Sequence, residues 1–113
     1  MDDSILNSVK DMIAGGAIHE HFDNELILCI NSTIATLRQI GIGPEDGFAI
    51  KDESATWSDL IGDSKMLEAV KSYVAYKVRM MFDPPASSAV SEAIKANIQE
   101  LEWRLGTTYE IGV

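Results

Sequence analysis

Cysteine is almost absent from this sequence. Its 113 residues include a single cysteine, Cys29, so no disulfide can form within one chain. A lone thiol is typical of a reducing intracellular compartment, and we interpret Cys29 as a buried core residue rather than a reactive nucleophile. A small secreted scaffold stapled by disulfides is therefore excluded.

Long apolar runs are also missing. No stretch approaches the roughly 20 apolar residues that a helix needs to span a bilayer. The first residues, MDDSILNSVKD, are acidic where a signal peptide would be basic. We therefore expect a cytoplasmic protein without membrane association.

Positive charge is in short supply. Nine Lys and Arg residues stand against 18 Asp and Glu residues, which gives a formal net charge of -9. Nonspecific nucleic-acid binding depends on cations that displace counterions from phosphates, so this charge balance disfavours a DNA-binding domain. An acidic surface is usually only solvated, but it also suits a protein that lies beside DNA without adhering to it. The remaining composition is typical of one globular domain over residues 1–113.

Patterns for catalysis or metal binding are sparse. The HEH segment places His19 and His21 two residues apart, which diverge on a helix, and no third ligand follows nearby. Neither GIGPEDG nor IAGGA has the lysine or the strand-to-helix setting of a phosphate loop. We interpret the closely spaced acids as solvated loop residues: Asp46, Asp52, Glu53 and Asp59. We expect no enzymatic activity, no metal and no cofactor.

Apolar residues at helical spacing predict two helices in the first part of the chain. The first follows Ser4 as N-cap and stops at Gly15-Gly16, whereas the second starts with Asp23 as cap and stops at Gly41. The predicted inward-facing residues are Ile5, Leu6, Val9, Met12 and Ile13 in the first helix, and Ile27, Ile30, Ile34 and Leu37 in the second.

Two longer helices are predicted in the second part, separated by Pro84-Pro85. The third begins near Asp63 and must end before the prolines, because proline lacks the amide hydrogen of a helix interior and forces Asp83 out of helical geometry. Ser87 or Ser88 caps the fourth, and Gly106 ends it. The predicted inward residues are Leu67, Val70, Val74, Val78 and Met81, then Val90, Ile94, Ile98, Leu101 and Leu105. The break predicts an elbow.

Helical periodicity disappears between the second and third helices. This segment contains residues typical of turns, namely Gly43, Pro44 and Gly47. The short apolar stretches FAI and ATW flank four polar residues at 51–54. The pattern predicts a short β-hairpin or an extended loop, with Trp57 in or near the core. The predicted fold is mainly α: a bundle of about four helices with that hairpin or loop inserted.

Some apolar residues exceed what one core requires. Outside the main stripe of the third helix lie Met66, Tyr73, Tyr76 and Met80, which either widen its core face or contact another subunit. Trp103 lies off the stripe of the fourth helix, so we expect it at a margin or in a subunit contact. Glu100 and Arg104 are spaced as a helix-stabilising ion pair.

Charge is distributed unevenly along the chain. Between Pro44 and Asp63 six acids accompany one cation, Lys51, whereas the third helix carries Lys65, Lys71, Lys77 and Arg79 against Glu68. In a ring of identical copies each subunit uses two different surfaces, so the acidic segment of one copy can meet the basic helix of the next. The alternative is that these charges are solvated and contribute little.

Four segments together cover most of the chain: INSTIATLRQIGIGPEDGF, ATWSDLIGD, LEAVKSYVAYKVRMMFDPP and IQELEWRLGTTYE. In this order they resemble the small head-tail connector, or neck-adaptor, proteins of tailed bacteriophages with long noncontractile tails. The order of these segments and their amino-acid sequences are similar to those of connectors encoded by phages and prophages of low-GC Gram-positive bacteria.

The resemblance implies a structural virion protein located in the phage neck, and in the host cytoplasm during assembly. It implies a ring, dodecameric in the virion, that extends the DNA exit channel beneath the portal protein and meets a tail or stopper protein, while DNA passes without specific binding. The residues that we predict for the contact between copies are Asp52, Glu53, Tyr76, Lys77, Arg79, Met80 and Trp103. A small acidic intracellular binding or regulatory module is the alternative function.

Overall fold

The computed structural model describes residues 3–14, 18–62 and 64–110, the last four as backbone only. Five α-helices lie in these ranges, and a single 3-10 turn at Glu20–Phe22 leads into the second. They are α1 (Ile5–Ala14), α2 (Asp23–Ile40), α3 (Trp57–Ile61), α4 (Leu67–Phe82) and α5 (Ser88–Glu110). The mainly α prediction is confirmed. No helix of the described ranges is long and apolar enough to cross a bilayer.

The centre of the bundle is α4, which packs against α1, α2 and α5. Because three helices cover it, its buried face is wider than one stripe and includes Tyr73 and Ala75 besides the predicted valines. The stripes predicted for α1 and α2 are largely confirmed, and Leu26 is an additional buried residue of α2. Met12 was expected to face inward, but it is 46% exposed because it lies in the last turn of α1, where that side borders an open groove against α4.

Side chains and glycine define several helix ends. Ser4 caps α1, since its Oγ accepts a hydrogen bond from the Asn7 amide at 3.2 Å. Gly41 ends α2 in the left-handed region at φ 104°, where glycine is least strained. The prediction that Asp23 caps α2 is wrong: the 3-10 turn supplies the preceding residue, and the Asp23 carboxylate instead pairs with Lys10 of α1. Gly15-Gly16 and Asp63 lie outside the described residues.

The segment between α2 and α3 is an extended loop, one of the two structures predicted for it, and no hairpin forms among its described residues. Its backbone is held by the Asn31 side chain of α2, which donates from Nδ2 to the Ile50 carbonyl at 3.0 Å and accepts from the Ile50 amide at 2.7 Å. An isolated antiparallel bridge joins Thr56 to Ser4. Backbone groups that a hairpin would pair with each other are thus satisfied by α2 and by the start of α1.

Thr56 and Asp59 form a capping box at the start of α3, a short helix that the periodicity did not predict. This local structure turns Trp57 into the protein, where it is fully buried, as predicted.

The predicted elbow between the two long helices is confirmed. Phe82 is the last residue of α4, and Asp83 leaves helical geometry with φ -150° and ψ 71°. Ser87 is the cap of α5, because its Oγ accepts from the Val90 amide at 3.3 Å. The Ser91 hydroxyl donates to the Pro85 carbonyl at 3.3 Å, which ties the first turn of α5 to the break.

Only one side of α5 is buried. Its core residues are Ile94, Ile98, Leu101 and Leu105, as predicted. Val90 and Met81 were expected to face inward, but both are exposed because they flank the elbow, beyond the stretch where the bundle covers the two helices. Gly106 does not end α5, which continues to Glu110, since a helix interior tolerates glycine at a cost of about 1 kcal/mol.

Candidate subunit interface

Trp103 is the most conspicuous side chain on the surface of α5. It is 69% exposed and lies on the opposite side of the helix from the buried stripe that ends at Leu105. A large ring with a polar N–H in this position is characteristic of residues that anchor protein contacts. The predicted location outside the subunit core is therefore correct, whereas its contact with another copy stays a prediction.

A groove between α1 and α4 contains two of the predicted interface residues, Tyr76 and Arg79. Its volume is about 170 Å³, and the full lining is Met12, Ile13, Ser72, Ala75, Tyr76 and Arg79. We call this surface the α1–α4 groove. Its lining is mixed, with apolar, polar and aromatic side chains, one cation and no acid.

The other two predicted helix residues, Lys77 and Met80, lie where α4 meets α5. They line a broader groove of about 340 Å³ against α5, together with Met81, Lys95, Ile98, Gln99 and Glu102. We call it the α4–α5 groove. Although Tyr76 and Met80 are one helical turn apart, the packing of α1 and α5 on α4 places the predicted interface residues of this helix in two grooves rather than one.

A partly buried hydrogen bond joins α5 to α4. The Tyr73 hydroxyl donates to Glu102 Oε2 at 2.7 Å, from a ring that is fully buried. Burial is the main cause that raises the pKa of Tyr73, and the adjacent Glu102 carboxylate adds to it. Tyr73 therefore belongs to the core and positions the helix that presents Trp103.

The acidic loop residues Asp52 and Glu53 are both exposed. The Asp52 carboxylate accepts hydrogen bonds from the Ser54 hydroxyl at 2.5 Å and the Ser54 amide at 2.8 Å. These bonds lower the pKa of Asp52. Within the described part of the chain neither acid forms an ion pair.

Two cations of α4 already have partners within the subunit. Lys71 Nζ lies 4.0 Å from Glu68 and 5.9 Å from the centre of the Trp57 ring, and Lys77 Nζ lies 6.0 Å from the centre of the Tyr73 ring. The Arg79 guanidinium forms no ion pair among the described residues. Arg79 is thus the basic residue of α4 whose charge is most available to a neighbour.

The histidines and the cysteine lie apart from any cluster of potential metal ligands among the described residues. No group of three potential metal ligands occurs in the described ranges, and the two Nδ1 atoms of His19 and His21 lie 2.7 Å apart on an exposed turn. Cys29 is half-buried against the core rather than fully enclosed. Burial, followed by the nearby Glu25 carboxylate, raises the pKa of its thiol, which disfavours the reactive thiolate.

Comparison with known proteins identifies one family. A model of the phage connector protein family matches residues 5–112, nearly the entire chain. No curated protein and no solved structure matches the chain significantly.

Proposed function

The chain belongs to the phage connector protein family, and from this premise we propose that it forms a ring in the virion neck that joins the portal of the head to the tail. The ring extends the DNA exit channel below the portal and offers its far side to a tail or stopper protein. It assembles in the host cytoplasm and remains in the virion. The function is structural, without a chemical reaction.

The observation that carries the ring is the exposure of Trp103 on the outer side of α5. Trp103 is 69% exposed on the longest helix, and its large, rigid ring would give a subunit interface a large contact area at low conformational cost. The same helix is fixed on its inner side by Tyr73 and Glu102, so the outer side is presented rigidly.

The charge of the chain supports a position beside DNA. A net charge of -9 keeps the subunit from adhering to phosphate backbones, which a channel for packaged DNA requires. Contacts to the portal and to neighbouring copies then depend on shape and apolar burial rather than on a basic surface.

Mixing the purified chain with purified portal rings tests this function. We expect electron microscopy to show a second ring stacked on one end of the portal, with a constant number of copies. Portal rings that stay bare at high subunit concentration would contradict the proposal. A chain that instead forms a stable dimer and ignores the portal would point to a binding module.

A further inference from the structure

A closed ring of identical copies needs two different surfaces that fit each other, and this subunit has two candidates. One is a protruding apolar residue, Trp103 on α5. The other is the α1–α4 groove, a recess lined by residues of two other helix faces. A contact between unlike surfaces repeats from copy to copy and closes when the rotation between copies permits it.

The α1–α4 groove has the size and chemistry to accept an aromatic ring. Its volume is about 170 Å³, and for scale an apolar protein cavity of about 150 Å³ binds benzene. Met12 supplies a polarizable thioether, Tyr76 an aromatic face and Arg79 a cation, all of which interact favourably with an indole ring.

Charge also matches between the two surfaces. Glu100 lies one helical turn before Trp103 and is exposed. It does not form the ion pair with Arg104 that its spacing predicts, and among the described residues it has no other cationic partner. The α1–α4 groove carries the opposite charge, because the Arg79 cation likewise forms no ion pair among the described residues.

The α4–α5 groove is a poorer receptor for the same side chain. It is about twice as large, at about 340 Å³. Both of its lysines have partners within the subunit: Lys77 lies over the Tyr73 ring, and Lys95 lies 3.5 Å from Glu92. An incoming acid would have to compete with these contacts.

From these observations we infer that Trp103 of one copy inserts into the α1–α4 groove of the next copy, with Glu100 facing Arg79. The inference rests on the proposed ring and specifies its subunit contact. The groove residues supply apolar burial and a cation over the indole, and the Glu100–Arg79 pair fixes the orientation.

Substitution of Trp103 tests the anchor. Trp103→Ala removes a central aromatic contact and is expected to weaken assembly on portal rings by about 30-fold or more, while Trp103→Phe retains most of it. Leu28→Ala is the matched control, since Leu28 is 72% exposed on α2 and lies outside the proposed contact. Equal assembly of the Trp103→Ala and Leu28→Ala proteins would overturn the inference.

Cross-linking between copies tests the pairing itself. In a Cys29→Ser background, Met12→Cys marks the groove and Gln99→Cys marks the helical turn before Trp103. A short bis-maleimide added to rings on the portal is expected to join copies head to tail and give a ladder of multimers on a denaturing gel. A protein with Gln99→Cys and Glu53→Cys, the latter on the acidic loop, is the control and should stay monomeric.

The outcomes separate the inference from the function on which it rests. Rings seen by electron microscopy together with a ladder for the groove pair alone support the inference. Rings without that ladder, or with a ladder only for the Glu53→Cys control, overturn the Trp103 contact and leave the connector function standing. Failure of the unsubstituted chain to form rings on the portal overturns both.

Discussion

The two long helices α4 and α5 have similar apolar spacing but are buried in different ways. On α4 the side chains of Val70, Tyr73, Val74 and Val78 are fully buried, because α1, α2 and α5 surround it. On α5 the core residues keep 2% to 9% of their surface exposed, and the opposite side carries Trp103. A helix covered on one side contributes to the core and still has a second side for a partner. Folding is therefore centred on α4, and assembly is expected to centre on α5.

The largest difference between the two regions should appear when their tryptophans are exchanged for alanine. Trp57 is fully buried beside α4, so Trp57→Ala is expected to lower the unfolding free energy by about 3–5 kcal/mol. Trp103→Ala should stay within about 0.5 kcal/mol of the natural chain, since an exposed side chain loses little on truncation. Urea denaturation of both variants measures this contrast, and equal destabilisation would remove it.

The elbow should matter more for assembly than for folding. Replacing Pro84 and Pro85 with alanine restores amides and helical freedom between α4 and α5, so the connection should lengthen or straighten. We expect a stability loss of only about 1 kcal/mol, similar helical content by circular dichroism, and loss of ring formation on the portal. Unchanged ring formation would show that the angle between the helices is not needed for assembly.

The hydrogen bond between α4 and α5 should have a moderate effect. Tyr73→Phe keeps the buried ring but removes the donor to Glu102, which should cost about 0.5–1.5 kcal/mol or more if the carboxylate is left without a partner. Chemical denaturation measures the loss. A neutral result would mean that apolar packing alone fixes α5 on α4.

The same residue predicts a pH dependence. Because the pKa of Tyr73 is raised in the folded chain, the unfolded chain releases this proton first as the pH rises through about 10. The contribution of Tyr73 to stability is therefore complete below that pH and declines above it. Denaturation at pH 9 and pH 11 should show a smaller decline for Tyr73→Phe than for the natural chain. Identical declines would contradict the assignment.

The smallest effect is expected from the charges of α4. Lys77 and Arg79 lie on different grooves, so Arg79→Glu should weaken assembly and raise its sensitivity to salt, while Lys77→Glu should change it less. A protein that carries both Lys77→Glu and Arg79→Glu should regain assembly on addition of Asp52→Lys and Glu53→Lys only if the acidic loop contacts α4 of the next copy. Assembly insensitive to salt and to both reversals would leave these charges as solvated surface groups.

Prolines, glycines and the helical spacing of apolar residues were sufficient to predict much of the fold. The stop at Phe82 follows from the missing amide hydrogens of Pro84 and Pro85, and the end of α2 from the glycine at position 41. The inward stripe of α5 follows from spacings of three and four. These features depend on neighbours in sequence, which is why the sequence reveals them.

Features that depend on distant partners were missed. The backbone amide and carbonyl of Ile50 form hydrogen bonds with the Asn31 side chain of α2 rather than with a paired strand. The residues near Ile50 in the sequence do not indicate this distant partner. Tyr73 is a core residue because α5 covers the side of α4 outside the main stripe. A usable signal did exist for α3: Thr56 followed three residues later by Asp59 is a capping pattern at a helix start.

The candidate interface was predicted as one set of residues, and the structure divides it. Tyr76 and Met80 lie one helical turn apart on α4, and only the packing of α1 and α5 shows that residues 76 and 79 line one groove and residues 77 and 80 another. Trp103 was predictable as a surface residue from its position off the apolar stripe. Its receptor was not, because the groove joins residues of α1 and α4 that are far apart in sequence.

Mass measurement of the chain with and without portal rings tests the central claim most directly. We expect complexes whose mass exceeds that of the bare portal by a fixed number of subunits, and loss of these complexes for Trp103→Ala at an unchanged unfolding midpoint. A portal mass that does not change on addition of the natural chain, or a Trp103→Ala protein that adds the same number of copies with the same affinity, would contradict it.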